Sequence, residues 1–174
     1  MSKRLPIIKR VIREDNNYAF IDGQNLYLGI KNSGWKLNYR RFRIYLEEKY
    51  NIKKAYIFLG YMQENQDLYE KLQSQGYVLI FRQMLRDNDG KIIKGGNIDT
   101  DLVLRTMKDL DNYQKALIVT SDGDFSSLVK YLYDRNKLLK VMSPHKDTCS
   151  NLLKKAAKEK IVFMDNLKKK LEYK

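Results

Sequence analysis

The chain has little of the soft chemistry that holds zinc or closes disulfides. Its 174 residues include one cysteine, Cys149, and one histidine, His145. A single cysteine cannot form an internal disulfide, and with one histidine it cannot build a Cys/His zinc set. A reducing, cytoplasmic setting is the expectation that follows. Long apolar runs are missing too, so no segment has membrane-spanning length and no membrane partner is expected. The opening MSKRLPIIKRVIRED is basic, with no continuous apolar stretch and no small-residue cleavage site. It reads as an arm rather than a signal peptide. No Gly-rich loop runs into Gly-Lys-Ser/Thr, which excludes a P-loop nucleotide hydrolase. No internal repeat or linker divides the chain. A hydrophobic fraction of 43% at this length suits one folded domain with a substantial core.

Acids are the minority charge. Against 21 Asp and Glu stand 34 Lys and Arg, a net charge of +13. Such an excess implies an anionic partner, and nucleic acid is the commonest one. The arrangement says more than the total. Lys36, Arg40, Arg41 and Arg43 are interleaved with Trp35, Tyr39 and Phe42. Lys3, Arg4, Lys9, Arg10 and Arg13 precede the first strand, and Lys154, Lys155, Lys158, Lys160 and Lys168 to Lys170 load the C-terminus. Basic residues among aromatics suit phosphate contact with base stacking. Arg40, Arg41 and Arg43 are therefore candidates for nucleic-acid contact.

Short apolar, β-branched runs predict strands at 18–21, 54–61, 77–81, 115–120, 137–143 and 160–164. Helical spacing predicts a short helix from Leu26 closed by Gly34, and longer ones at 39–50, 64–75, 102–111, 125–136 and 148–157. Asp87-Asn88-Asp89-Gly90 signals a turn that can close a hairpin from 84–85 to 92–93. Strands alternating with helices predict an α/β domain with a mainly parallel sheet. The expected organisation is a basic arm at 1–17, the domain at 18–164 and a basic tail at 165–174.

The few acids that matter fall in turns. Asp122 and Asp124 follow the run Lys115-Ala-Leu-Ile-Val-Thr120, Asp22 follows Tyr18-Ala-Phe-Ile21, and Asp99 and Asp101 open a helix. Each alone reads as well as a cap or a turn former. Together they predict carboxylates gathered at the carboxyl edge of one parallel sheet. Such a gathering repels itself unless a cation offsets it. Oxygen donors without His or Cys favour Mg²⁺ or Mn²⁺. Asp101, two residues from Asp99, cannot project identically from one helix and is the lesser candidate. Asn25 can hold a water or a phosphate oxygen without adding charge, and the hydroxyls of Thr120 and Ser121 can do the same. Glu47, Glu48, Asp109 and Asp111 read as solvated helix faces. His145 is a candidate base only if the Pro144 loop reaches the acids.

Three segments resemble the signature segments of NYN domains, the LabA/limkain-type branch of the PIN-like nucleases. They are Tyr18-Ala-Phe-Ile-Asp-Gly-Gln-Asn-Leu-Tyr27, Lys94-Gly-Gly-Asn-Ile-Asp-Thr-Asp101 and Val119-Thr-Ser-Asp-Gly-Asp-Phe125. In the middle segment Gly96-Asn97 intervene where family members often carry Lys-Gly-Val-Asp. The resemblance implies a three-layer α/β/α sandwich, PIN-like, and a Mg²⁺- or Mn²⁺-dependent ribonuclease, with endonuclease the expected mode. It maps Asp22, Asn25, Asp99, Asp122 and Asp124 onto the catalytic set. Asp22, Asp99, Asp122 and Asp124 then hold metal, with Asp101 as an additional candidate. Lys94 and Ser121 join Arg40, Arg41 and Arg43 as nucleic-acid contacts. The expected partner is single-stranded or structured RNA, and a homodimer is left open. The alternative is a non-catalytic RNA-binding or adaptor module with a vestigial PIN-like pocket. A haloacid-dehalogenase-type phosphatase fits poorly, because Asp22 is followed by Gly23 and Gln24 rather than by a second acid two residues on.

Overall fold

The computed structural model describes residues 15–82, 87–90 and 98–174. The strands expected at 84–85 and 92–93, Lys94 and the basic residues of the arm lie outside them, while the turn expected at 87–90 is present, the Gly90 N–H donating to the Asp87 carbonyl at 3.0 Å.

Strand β1, Asn17–Asp22, shows how the sheet is built. Tyr18 and Phe20 face one core layer, while Ala19 and Ile21 face the other. All four are buried, as a strand covered on both faces requires. The same alternation recurs in β2, Ile52–Gly60, and in β4, Ala116–Val119. With β3 (Tyr77–Arg82), β5 (Leu138–Ser143) and β6 (Ile161–Phe163) they form a sheet ordered β3-β2-β1-β4-β5-β6. Every strand pairing in it is parallel.

Helices cover both faces. On one lie α1 (Gly23–Asn32), α2 (Tyr39–Tyr50), α3 (Gln66–Ser74) and the short α7 (Lys168–Leu171). They supply Leu26, Phe42, Leu46, Leu72 and Leu171 to the core. On the other lie α4 (Ile98–Lys108), α5 (Ser126–Asp134) and α6 (Asn151–Ala157), which supply Leu102, Leu128, Val129, Leu132 and Leu153. Fully buried Phe20, Phe42, Phe58 and Phe125 anchor the two layers. Each such side chain contributes about 1.5–3 kcal/mol of burial. The result is the expected three-layer α/β/α sandwich.

Some boundaries differ from the sequence reading. Asn17 belongs to β1 rather than to the arm: its side chain bonds the backbone of Tyr50 and Lys115. The C-terminal residues do not run free either. Leu171 is buried, and Glu172 bridges Leu37 in an antiparallel pair. Asp109 is no part of a solvated face, because it is buried and accepts the Tyr56 hydroxyl at 2.7 Å.

The strand order positions the site. The first three strands proceed outward from β1, and β4 then returns to its other side. At such a reversal the two flanking connections leave in opposite directions and open a crevice beyond the carboxyl ends of the strands. The crevice here lies past Asp22 of β1 and past the turn that follows β4.

Candidate active site

Two strand-Asp-Gly-helix junctions build the crevice floor. At the first, the Asp22 carboxylate caps α1 by accepting the Asn25 backbone N–H at 3.1 Å. A side chain on Gly23 would collide with the Phe58 carbonyl at 2.8 Å, so glycine is what lets the start of α1 lie this close to β2. At the second, Asp122 accepts the Asp124 backbone N–H at 2.9 Å. Asp122 is thus the cap, and Asp124 stands in the following turn rather than at the cap itself. Gly123 is pressed against Ser150, the N-cap of α6.

Thr120 links the two junctions. Its hydroxyl donates to Asp22 at 3.4 Å and accepts the Asp122 backbone N–H at 3.1 Å. Asn25 links them a second time, its side-chain oxygen accepting the Ser121 N–H at 2.8 Å.

The third contribution comes from α4. Its first turn brings Asp99 to the crevice, where carboxylate oxygens of Asp99, Asp122 and Asp124 all lie within 4.8 Å of one another. Asp22 is not one of these three, but it is close enough to be coupled to Asp99 and Asp122. Burial, partly offset by the Asn25 N–H bond and reinforced by the Asp99 charge, pushes the Asp22 carboxyl up to about 6. Partial burial, and then the charges of Asp122 and Asp124, raise Asp99 as well. These are the marks of carboxylates crowded against the cost of desolvation and mutual repulsion. An all-oxygen set of this kind fits a hard divalent cation. Asp122 and Asp124 also open onto a cavity of about 520 Å³ beside α1, walled by Asn25, Leu28, Gly29 and Ser150.

Not every expected residue comes to the site. Asp101 turns away and pairs with Arg82 at 3.3 Å. Two residues along a helix is about 200° of rotation, which explains the divergence. His145 does not serve the acids, since its Nδ1 is bonded to Asp165 at 3.1 Å. The Ser121 hydroxyl, expected to meet nucleic acid, is buried against that of Ser143 at 2.8 Å. Arg43 is spent inside the fold, donating to the Gly76 carbonyl at 3.1 Å and reaching Glu47 and the Lys53 carbonyl. Arg41 donates to the Glu172 carbonyl at 3.2 Å and remains exposed, as does Arg40. Ser143 and Ser150 were not singled out by the sequence reading. A serine three residues before a helical apolar pattern marks a cap, but nothing local says which loop it will face.

A parallel α/β sandwich with an acidic crevice at its strand-order reversal is the class this geometry defines. The NYN domain model matches residues 18–165, and the chain belongs to the NYN domain family. It is 25% identical over 133 residues to the low amplitude and bright protein LabA of Synechococcus elongatus, covering 71% of each chain. A crystal structure of a protein of unknown function from Vibrio parahaemolyticus superposes with a TM-score of 0.71 at 20% identity, covering 88% of this chain and 94% of that one. T5 5′-exonuclease, solved with zinc ions, reaches a TM-score of 0.47 at 14% identity over 78% of this chain and 57% of its own, too remote a likeness to bear on chemistry here. Among the described residues no helix is long and apolar enough to cross a membrane.

Proposed function

We propose that the protein is a divalent-metal-dependent ribonuclease that cuts within RNA strands. One observation carries the reading: carboxylate oxygens from two separate segments of an NYN-family chain, Asp99 of α4 and Asp122 and Asp124 after β4, gather within 4.8 Å at the sheet's carboxyl edge. Asp99, Asp122 and Asp124, with Asp22 beside them, would hold Mg²⁺ or Mn²⁺. When bound, such an ion lowers the pKa of a water and clamps phosphodiester oxygens for in-line attack.

The chain's own residues do the remaining work. Asp22 and Asp122 double as helix caps, so backbone geometry holds their carboxylates in place before metal or substrate arrives. Thr120 and Asn25 lock the β1 and β4 junctions together, which fixes the spacing between acids from different segments. Exposed cations such as Arg40 and Arg41 attract the phosphate backbone. The chain carries a net charge of +13 while the site itself is acidic, so a strand is drawn to the protein and the cut would be confined to where a cation is held.

The test is incubation of the protein with labelled RNA and DNA under Mn²⁺, Mg²⁺ or EDTA, beside Asp122→Asn. Metal-dependent cutting of RNA should appear and fall by orders of magnitude in the variant, while RNA binding persists. Binding of several RNAs without cutting in either metal, and no thermal stabilisation by Mn²⁺, would place the chain among adaptor modules instead.

A further inference from the structure

The two sides of α1 face different cavities. At about 100° per residue, Asn25, Leu28, Gly29 and Asn32 share one side, which walls the cleft beside the acids. Tyr27, Ile30 and Lys31 fall on the opposite side and wall a second cavity, also of about 520 Å³, between α1, α2, α3 and the C-terminus.

The second cavity is unlike the first in chemistry. Its wall is mostly apolar and includes Tyr27, Trp35, Tyr39 and Tyr173. Tyr27 and Tyr173 are more than half exposed, at 55% and 52%, and lysine ammonium groups lie over their rings, where a base would take their place as they move onto its phosphates. Ammonium groups ring it. Lys36 and Lys71 stand 5.2 and 5.9 Å from the Tyr173 ring centre, and Lys31 stands 5.8 Å from that of Tyr27. Among the described residues lining it none is acidic. Gln75, also in the wall, has a side-chain oxygen that is buried without a hydrogen-bond partner. An acceptor left unpaired in this way gains from any donor brought to it.

We propose that this cavity is a nucleobase subsite for a single-stranded stretch of the nucleic-acid substrate, with a base stacked among Tyr27, Trp35 and Tyr173 and its phosphates on Lys31, Lys36 and Lys71. The subsite rests on the nuclease reading for its ligand, but not on catalysis. Aromatic faces flanked by cations are what a single strand needs, because every base has a π-face and every linkage a charge. The spacing along α1 sets how long a strand must be to reach both the subsite and the acids. From the Asp22 cap to Lys31 is nine residues, or about 13 Å of helix. At about 3.4 Å per phosphate of a stacked strand, that rise alone is roughly four nucleotides, and crossing from one side of α1 to the other requires more. The subsite would thus hold a strand a fixed distance from the cut.

Trp35 is the only tryptophan in the chain, so its emission reports this cavity alone. Full-length protein carrying Asp122→Asn, which keeps the strand intact, is titrated in EDTA with short oligouridylate, the matching oligodeoxynucleotide and a poly-glutamate peptide. Anisotropy of labelled strands is followed in parallel. The expected result is saturable Trp35 quenching by the oligonucleotides. Binding should weaken by about tenfold in Tyr27→Ala/Tyr173→Ala, and also in Lys36→Ala, whose exposed side chain can be removed without touching the core. Oligonucleotide binding with Trp35 silent and affinity unchanged in both variants overturns the subsite. So does failure of both oligonucleotides to bind, or quenching by the acidic peptide alone, which would assign the cavity to a protein segment. Quenching with no Mn²⁺-dependent cutting by the unmodified protein upholds the subsite and defeats the nuclease; cutting with Trp35 silent does the reverse.

Discussion

Asn25 and Ser121 are tied across 2.8 Å by a hydrogen bond from the Ser121 backbone N–H to the Asn25 side chain. The bond joins the first turn of α1 to the loop after β4, 96 residues further along the chain. It holds the loop that presents Asp122 against the helix that Asp22 caps. Asn25 is therefore a positioning residue before it is anything else. Asn25→Ala should leave the Ser121 N–H without this partner, at a cost of about 1–3 kcal/mol. It should also lower cutting more than RNA affinity. Asn25→Asp keeps the acceptor, so its unfolding midpoint should stay closer to that of the unmodified chain once Mn²⁺ offsets the added charge. Thermal unfolding of both variants with and without Mn²⁺ checks this; equal loss in both would remove the bond from the explanation.

The Asp22 carboxyl sits at about 6 in the folded chain against an ordinary 3.8, chiefly because it is buried. The folded state therefore holds this proton more tightly than the unfolded one. Stability from this group is present at low pH, is lost as pH rises from about 4 to about 6, and changes no further above that. Asp22→Asn keeps the acceptor for the Asn25 N–H and is neutral throughout. In metal-free buffer the variant should match the unmodified chain near pH 4 and exceed it by about 2–3 kcal/mol at pH 7. Saturating Mn²⁺ should narrow the gap, because the ion stabilises the chain that binds it. Denaturant unfolding at the two pH values measures the difference, and a gap independent of pH would contradict the burial argument.

Arg43 and Arg40 should separate stability from binding. Arg43 is mostly buried and bonded to two backbone carbonyls. Arg43→Ala should lower stability by about 1–3 kcal/mol, through lost charged hydrogen bonds and stem packing, and leave the salt dependence of RNA binding as it was. Arg40 is exposed. Arg40→Ala should leave the unfolding midpoint in place and flatten the salt dependence, by about 0.7 in log–log slope if one phosphate contact is lost. Binding isotherms across a salt series decide between them.

Asp101→Asn should barely change metal affinity, since Asp101 faces Arg82 rather than the three gathered carboxylates. Both partners of that pair are partly exposed, so the loss of stability should stay within about 1 kcal/mol. Calorimetric titration with Mn²⁺ compares it with Asp99→Asn, where affinity should fall by tenfold or more. A comparable fall in both variants would mean that Asp101 shares the ion.

Much of this was legible in the chain itself. The strands announced themselves through β-branched runs such as Ala116-Leu-Ile-Val119, because a strand buried on both faces must be apolar throughout. Asp22, Asp99, Asp122 and Asp124 were legible as a set, because three acidic turns at strand ends and a helix start stand out in a chain otherwise rich in lysine and arginine. The fate of the basic cluster was not legible. Arg40, Arg41 and Arg43 look alike in sequence, yet only the packing of α2 against Gly76 and Lys53 decides that Arg43 is consumed by the fold.

Local pattern thus determined the element types, the α/β class and the carboxylates available to the site, since each depends on a few neighbouring residues. Tertiary structure alone decided the rest. It set which acids meet, which of them cap helices, and that α1 divides an acidic cleft from an aromatic, lysine-rimmed cavity. Those outcomes depend on contacts such as Thr120 with Asp22 and Lys36 with Tyr173, between residues 98 and 137 positions apart. No local pattern encodes such pairs; they exist only once the parallel sheet has aligned β1 beside β4 and the C-terminus has folded back onto Leu37.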